Sequence, residues 1–135
     1  MTKLPVVRDH MDRNIATLRP ETPFLEAVAF LLDKKVTGAP VVDKTGRLVG
    51  ILTEKDCLRL VAAGIGGDLP RGCVADIMTP DPETIPPDMD VYFAAGLFLT
   101  RPFRRFPVVE EGKLVGAITR FDILRVIQAN LSMVA

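Results

Sequence analysis

Two short motifs in the sequence combine residue types that could hold a phosphate and a ribose. Asp56 follows Thr53 by three positions, and the same spacing recurs at Thr119 and Asp122. Each threonine stands between an apolar segment and a segment with helical spacing, so its hydroxyl and the free N–H groups of a helix start would face one spot that suits a phosphate. An aspartate on the same face can accept two hydrogen bonds, as from a ribose diol. The same pattern also caps helices without any ligand, and both interpretations stay open.

Other chemistry has few residues to draw on. His10 is the one histidine and Ser132 the one serine, which disfavours a nucleophile paired with an imidazole. Cys57 and Cys73 are too few for a disulfide framework and lack metal-ligand partners. No glycine-rich phosphate-loop motif is present. We therefore expect no catalytic residues, no metal site and no enzyme activity; a slow nucleotide hydrolase is the competing enzymatic hypothesis.

The composition is that of a folded chain without an electrostatic bias. The 135 residues are 48% hydrophobic and 25% charged, and 17 basic side chains balance 17 acidic ones. A formal net charge of zero gives no general attraction to nucleic acid or to an acidic membrane. No apolar run approaches the roughly 20 residues of a membrane helix, and the first residues do not resemble a signal peptide. We expect a cytoplasmic protein without nucleic-acid or membrane partners.

The chain contains two copies of one pattern. Residues match at an offset of 67 before Lys44 and of 66 after it, for example Met11 with Met78, Thr17 with Thr84, Pro40 with Pro107, Thr53 with Thr119 and Asp56 with Asp122. So long a register indicates a tandem duplication. The predicted boundaries are 1–63 for the first repeat, 64–73 for a linker and 74–135 for the second repeat.

Each repeat has the pattern of a β-α-β-β-α unit. Apolar spacing and capping residues predict short extended pieces, four helices and four strands: extended pieces over 15–18 and 83–85; helices over 24–34, 54–63, 91–100 and 120–131; strands over 39–42, 48–52, 106–109 and 114–118. A repeat of about 60 residues is small for an independent core. We therefore expect an α+β fold in which two pseudo-symmetric repeats share one core and pack through their sheets.

The strand and turn segments resemble a known signature. Residues 38–43 and 46–56, and again 105–109 and 112–122, are similar to the motif of the CBS domain, the cystathionine-β-synthase-type repeat. Residues 7–11 and 74–78 resemble the V-x-D-x-M lead-in of such repeats. The resemblance covers nearly the whole chain. It implies a CBS pair, also called a Bateman module. Such a pair is described as α/β-type, and the fold class that we expect is α+β.

The resemblance also implies where a ligand would bind. The aspartate of each motif would hold ribose, the threonine would contact phosphate, and the repeats would cross over so that each cleft draws on both. Cleft one would combine Thr53, Asp56, Thr84, Ile85, Arg104, Phe106 and Pro107; cleft two would combine Thr119, Asp122, Thr17, Leu18, Gly38, Ala39 and Pro40; Lys55 and Arg120 are secondary candidates. Arg104 stands where family members often carry a basic phosphate contact, which predicts that cleft one is the stronger anion site. Core packing is the alternative role of Ala39, Pro40, Phe106 and Pro107.

The function implied by the resemblance is regulatory. The ligand would be AMP, ADP, ATP or a related adenosyl compound, and helices with apolar faces would form a homodimer. Because the chain carries no effector domain, its output would act on a separate, unknown effector protein. The alternative is a ligand-free dimerisation or protein-interaction module.

Overall fold

The secondary structure follows the repeat. The computed structural model of the chain describes residues 4–64 and 72–132, so most of the predicted linker 64–73 lies outside the described residues. After a 3-10 turn (Val7–Asp9), the elements are α1 (Phe24–Lys34), β1 (Gly38–Val42), β2 (Leu48–Thr53), α2 (Glu54–Ala63), α3 (Val74–Ile77), β3 (Thr79–Pro80), α4 (Val91–Thr100), β4 (Arg105–Glu110), β5 (Lys113–Thr119) and α5 (Arg120–Ser132). The α+β class is confirmed, and the predicted helices and strands differ from the observed ones by one or two residues at most. The 3-10 turn, α3 and β3 were not predicted.

The described residues divide into two compact units that exchange their lead-in segments. The first unit comprises residues 16–64 and 72–82, and the second comprises residues 4–15 and 83–132. Each lead-in therefore belongs with the sheet of the other repeat. Each unit has its own hydrophobic cluster, centred on Val41 and Leu52 in the first unit and on Phe106 and Ile118 in the second, where the sequence suggested one shared core.

The sheet of the first unit places the end of β2 beside the start of β1. Strands β1, β2 and β3 are antiparallel, and Gly38 pairs with Thr53. Leu18 extends the sheet as a single parallel bridge, since its N–H donates to the Pro40 carbonyl at 2.9 Å and its carbonyl accepts from Val42 N–H at 2.9 Å. The predicted extended piece 15–18 is thus present as one bridge.

The second unit repeats this arrangement. Strands β4 and β5 are antiparallel, with Arg105 opposite Thr119, and Ile85 bridges β4 as Leu18 bridges β1. Asp12 bridges Ala117 through two backbone hydrogen bonds of 2.8 and 3.0 Å. In both units a strand runs directly into a helix at a threonine, which places the Thr-x-x-Asp motif at that junction.

Candidate functional site

The motif of the first unit forms a reciprocal helix cap. Thr53 Oγ1 accepts a hydrogen bond from the Asp56 N–H at 3.3 Å, and Asp56 Oδ2 accepts from the Thr53 N–H at 2.9 Å. The Thr53 hydroxyl also donates to Asp56 Oδ2 at 3.0 Å. Asp56 is buried, with 3% of its side chain exposed. The capping role of this motif is therefore present in the structure.

The second unit carries the same cap in a more open form. Asp122 Oδ2 accepts from the Thr119 N–H at 2.8 Å, and Thr119 Oγ1 accepts from the Asp122 N–H at 3.2 Å. The Asp122 side chain is 15% exposed. Both aspartates keep one carboxylate oxygen, Oδ1, outside the cap.

An arginine contacts that outer oxygen in each unit. Arg59 Nη1 donates to Asp56 Oδ1 at 2.9 Å, and Arg125 Nη1 donates to Asp122 Oδ1 at 2.9 Å. Each arginine follows its aspartate by three positions on the helix, a spacing that brings side chains together. Neither arginine was assigned a role from the sequence, although both recur in the repeat, and the T-x-x-D-x-x-R spacing is the signal that could have assigned one.

Fewer backbone N–H groups are free at the start of α2 than the motif suggested. The Glu54 N–H donates to the Thr37 carbonyl at 2.8 Å, and the Asp56 N–H is taken by the Thr53 hydroxyl. In the part of the chain that the structure describes, this leaves the Lys55 N–H as the first-turn amide without an acceptor. An anion at this helix start would have one amide and the exposed Lys55 side chain to contact.

The predicted base-binding residues of the first repeat lie on the bridged edge of the first unit. Thr17 is half-buried, and Leu18, Ala39 and Pro40 are buried. Thr17 and Leu18 line an open groove of about 430 Å³ along α1, with Arg19, Thr22, Glu26, Ala29, Phe30 and Asp33 on its other sides. The sequence analysis did not identify these α1 residues, because their spacing on an amphipathic helix gives no signal of a groove.

Gly38 lies next to the helix cap of α2, where there is little room for a side chain. A Cβ at this position would lie 3.2 Å from the Leu52 carbonyl oxygen and 3.3 Å from Thr53 Cγ2. A side chain would therefore press on the residue that caps α2. Gly38 thus contacts the motif of its own repeat through β1–β2 pairing.

The predicted residues of the second repeat divide into buried and exposed groups. Ile85, Phe106 and Pro107 are buried, whereas Thr84 and Arg104 are exposed. Phe106 has no exposed surface and packs edge-on against Phe98 and Phe103, at centroid distances of 4.8 and 5.5 Å. Its side chain belongs to the core of the second unit, which is the alternative role predicted for it. Only its backbone could therefore contact a ligand.

Three basic residues named by the sequence analysis have different environments. Arg104 and Lys55 are exposed and form no side-chain hydrogen bond or ion pair within the described residues. Arg120 Nη2 donates to the Phe98 carbonyl at 3.4 Å, and its guanidinium lies 5.9 Å from the Phe98 ring centroid. Arg104 and Lys55 thus remain available to an anion, while Arg120 is held against Phe98.

Among residues 4–64 and 72–132, no three histidine, cysteine or acidic side chains are grouped as a metal ion would require. No helix in that described part has the length and apolar character needed to cross a membrane.

Two curated proteins are similar to this chain in sequence. The uncharacterized protein MJ1225 of Methanocaldococcus jannaschii is 33% identical over 92% of this chain, which spans 43% of that protein. CBSX2 of Arabidopsis thaliana, described as chloroplastic, is 31% identical over 84% of this chain, which spans 58% of that protein. The chain thus spans about half the length of these curated relatives.

Solved structures share the fold over nearly the full chain. The crystal structure of CBSX2 in complex with AMP is 34% identical, has a TM-score of 0.81 and covers 93% of this chain and 98% of its own. The CBS domain pair of MJ0100 in complex with 5′-methylthioadenosine and S-adenosyl-L-methionine is 26% identical, with a TM-score of 0.76, over 95% of this chain and 99% of its own. The CBS domain matches twice, over residues 7–63 and 74–129, and the chain therefore belongs to the CBS domain family.

Proposed function

We propose that the chain is a regulatory module that binds an adenine nucleotide or adenosyl compound through its two Thr-x-x-Asp motifs. The observation that carries this proposal is the duplicated cap, in which a buried or half-buried aspartate faces a helix start beside the bridged edge of a sheet. A carboxylate can accept hydrogen bonds from both hydroxyls of a ribose, and at the start of α2 the Lys55 N–H and the exposed Lys55 side chain favour the phosphate. Binding, rather than catalysis, is the role that these residues support.

The related structures support the same ligand class. CBSX2 was crystallised with AMP, and the MJ0100 pair with two adenosyl compounds. AMP, ADP, ATP and S-adenosylmethionine are therefore the ligands to test. The pairing of the motifs into clefts across the two repeats, and the advantage that Arg104 gives to cleft one, stay predictions.

The first experiment measures ligand binding to Asp56 and Asp122 variants. We expect the melting temperature of the wild type to rise with one or more adenine compounds and not with GMP, because a ligand of the folded state stabilises it. Asp56→Asn and Asp122→Asn should each weaken binding, since an amide offers one acceptor oxygen where the carboxylate offers two. Glu54→Gln is the matched control, because it removes one charge from the same helix start without touching the cap.

Three outcomes would count against nucleotide binding through these two aspartates. No thermal shift with any adenine compound would favour the interaction module, and an equal loss of binding in Glu54→Gln would assign the effect to charge alone. Multiple-turnover hydrolysis of a nucleotide that disappears in Asp56→Asn would instead revive the enzymatic hypothesis.

We also propose that the chain forms a homodimer through its helices. Large apolar side chains are exposed at matching positions of the two repeats: Leu25 and Tyr92, Leu32 and Leu99, Leu58 and Leu124, Val61 and Ile127. Helix α4 is apolar on all sides, as is typical of a helix that is covered. Exposed apolar surface of this kind marks an interaction site. This observation also favours the second candidate function, a ligand-free assembly module.

The oligomeric state tests this surface. Leu32 is 71% and Leu99 is 88% exposed, so Leu32→Asp with Leu99→Asp should leave each unit folded and shift the sedimenting species from dimer to monomer. Leu4→Asp, a change outside the helices, is the control and should leave the dimer intact. A monomeric wild type would contradict the dimer.

The nucleotide signal would act on a separate effector protein, through a change in packing that requires two states of the assembly. The proposed location is the cytoplasm, a reducing compartment in which the thiols of Cys57 and Cys73 would stay free.

A further inference from the structure

We propose that the two Thr-x-x-Asp motifs differ in their capacity to bind a ribose: Asp122 has free acceptor positions, whereas all acceptor positions of Asp56 are occupied, one of them by the Thr79 hydroxyl of the lead-in. This inference rests on the proposed nucleotide-binding function. It assigns the preferred ribose contact to the second unit and concerns the ribose diol, not the phosphate.

Asp56 accepts four hydrogen bonds from described residues. Its Oδ2 atom accepts from the Thr53 N–H at 2.9 Å and from the Thr53 hydroxyl at 3.0 Å. Its Oδ1 atom accepts from Arg59 Nη1 at 2.9 Å and from the Thr79 hydroxyl at 3.3 Å. A carboxylate has about four lone-pair positions. A ribose that binds Asp56 must therefore displace one of these donors.

Asp122 accepts two hydrogen bonds within the described residues. Oδ2 accepts from the Thr119 N–H, and Oδ1 accepts from Arg125 Nη1. About two lone-pair positions remain, which matches the two hydroxyl donors of a ribose diol. The side chain is also five times as exposed as that of Asp56, at 15% against 3%.

Two donors account for the difference: the Thr53 hydroxyl, which has no counterpart from Thr119 among the described hydrogen bonds, and the Thr79 hydroxyl, which comes from one position of the duplicated lead-in. Thr79 pairs with Ile51, and Asp12 pairs with Ala117 at the corresponding position of the second unit. The Thr79 hydroxyl has a proton to donate to the neighbouring aspartate. An ionised Asp12 carboxylate has none, and its Oδ1 accepts from the Asn14 N–H at 2.9 Å. Asp12 therefore cannot occupy an acceptor position of Asp122 in the way that Thr79 occupies one of Asp56.

The experiment follows the Thr53 and Thr119 amide resonances during titration with AMP and with 2′,3′-dideoxy-AMP, which lacks the diol. Each amide donates to the aspartate of its own motif, so each reports one site. In the wild type we expect the Thr119 resonance to respond at lower AMP concentration than the Thr53 resonance. We expect a smaller difference for the dideoxy ligand.

Exchange of the lead-in residue should move the two sites in opposite directions. Thr79→Val removes the hydroxyl at constant volume, and the Kd read at Thr53 for AMP should fall by about two- to tenfold, the value of one modest hydrogen bond. Asp12→Thr should raise the Kd read at Thr119. Thr79→Ser should restore wild-type behaviour, and Thr100→Val, which removes a hydroxyl bonded within α4, should change neither Kd.

The outcomes separate this inference from the function on which it rests. Equal Kd values at Thr53 and Thr119 in the wild type would overturn the inference and leave nucleotide binding in place. A Thr79→Val variant that binds AMP no better, or more weakly, would do the same. If neither resonance responds to AMP, ADP, ATP or S-adenosylmethionine, the proposed function fails, and the inference fails with it.

Discussion

The sulfur of Met11 lies 2.6 Å from the point that a Cβ on Gly116 would occupy. The same relationship holds in the first unit, where the Met78 sulfur lies 2.5 Å from the corresponding point on Gly50. Each lead-in methionine thus packs directly on a strand glycine of the other repeat. Each lead-in methionine requires a glycine on the strand that it contacts, because a side chain on that glycine would separate the lead-in from the sheet.

Gly116→Ala should therefore destabilise the protein. The added methyl group would meet the Asp12 carbonyl oxygen at 2.9 Å as well as Met11, and backbone cannot yield as a flexible side chain does. Overpacking of this kind costs about 1–3 kcal/mol in the free energy of unfolding, which chemical denaturation measures. Gly96→Ala is the control: nothing lies within 4 Å of its added methyl, and alanine in a helix should stabilise by about 0.5–1 kcal/mol. An unchanged stability of Gly116→Ala would contradict the close packing.

The ion pair between Arg8 and Glu110 predicts a pH-dependent contribution to stability. Arg8 Nη2 donates to Glu110 Oε2 at 2.5 Å, and this hydrogen bond lowers the pKa of Glu110 and raises that of Arg8. A carboxylate with a lowered folded-state pKa stabilises the fold above its unfolded pKa, and this stabilisation is lost as the pH falls through the folded value. Glu110→Gln should thus reduce the free energy of unfolding at neutral pH, and the difference should shrink below about pH 4.3.

Glu111→Gln is the matched control for that measurement. Glu111 is exposed and adjacent in sequence, and it forms no ion pair with the residues that the structure describes. Its substitution should leave the pH profile of stability unchanged. A Glu110→Gln effect that persists undiminished at pH 3 would show that the carboxylate charge is not what stabilises the lead-in.

The Thr53 hydroxyl should contribute to stability even without ligand, because it caps α2. Thr53→Ala should cost about 1 kcal/mol in the free energy of unfolding, and Thr53→Ser should recover most of it. The measurement is denaturation of the ligand-free protein. Equal stability of the alanine variant and the wild type would show that the cap is dispensable and leave the hydroxyl to the ligand.

The two thiols should react at different rates. Cys57 is buried, and burial raises its pKa, with the neighbouring Asp56 charge adding to the effect, so little thiolate forms near neutral pH. Cys73 is half-buried. An aromatic disulfide reagent should modify Cys73 first, and Cys73→Ser should remove that fast phase. A fast phase that survives in Cys73→Ser would contradict this assignment.

Much of the local structure was predictable from the sequence. Helix α1 was predicted over 24–34 from its apolar spacing and is observed there, with Pro23 at its N-cap position. Thr53 and Thr119 marked the strand-to-helix junctions because a threonine followed by an acid three positions later caps a helix start. The repeat itself was read from spacing alone. These features depend on residues close together in the chain.

The candidate site was only partly predictable from the sequence, because some of its contacts join residues that are far apart in the chain. Arg59 and Arg125 lie one turn beyond the predicted aspartates and were within reach of a pattern search. Thr79 was not, because its contact with Asp56 crosses 23 positions and depends on the lead-in pairing with β2.

The sequence by itself determined the duplicated order of helices and strands and the two threonine–aspartate motifs, since helical period, capping and turn preferences act over a few residues. The tertiary structure decided which lead-in packs on which sheet, that Phe106 fills a core, and that Asp56 is saturated while Asp122 keeps acceptor positions. Those outcomes depend on packing and hydrogen bonds between distant segments. The Thr-x-x-Asp-x-x-Arg spacing is identical in the two repeats, whereas the residue that each lead-in places beside the aspartate differs, with Thr79 in one unit and Asp12 in the other.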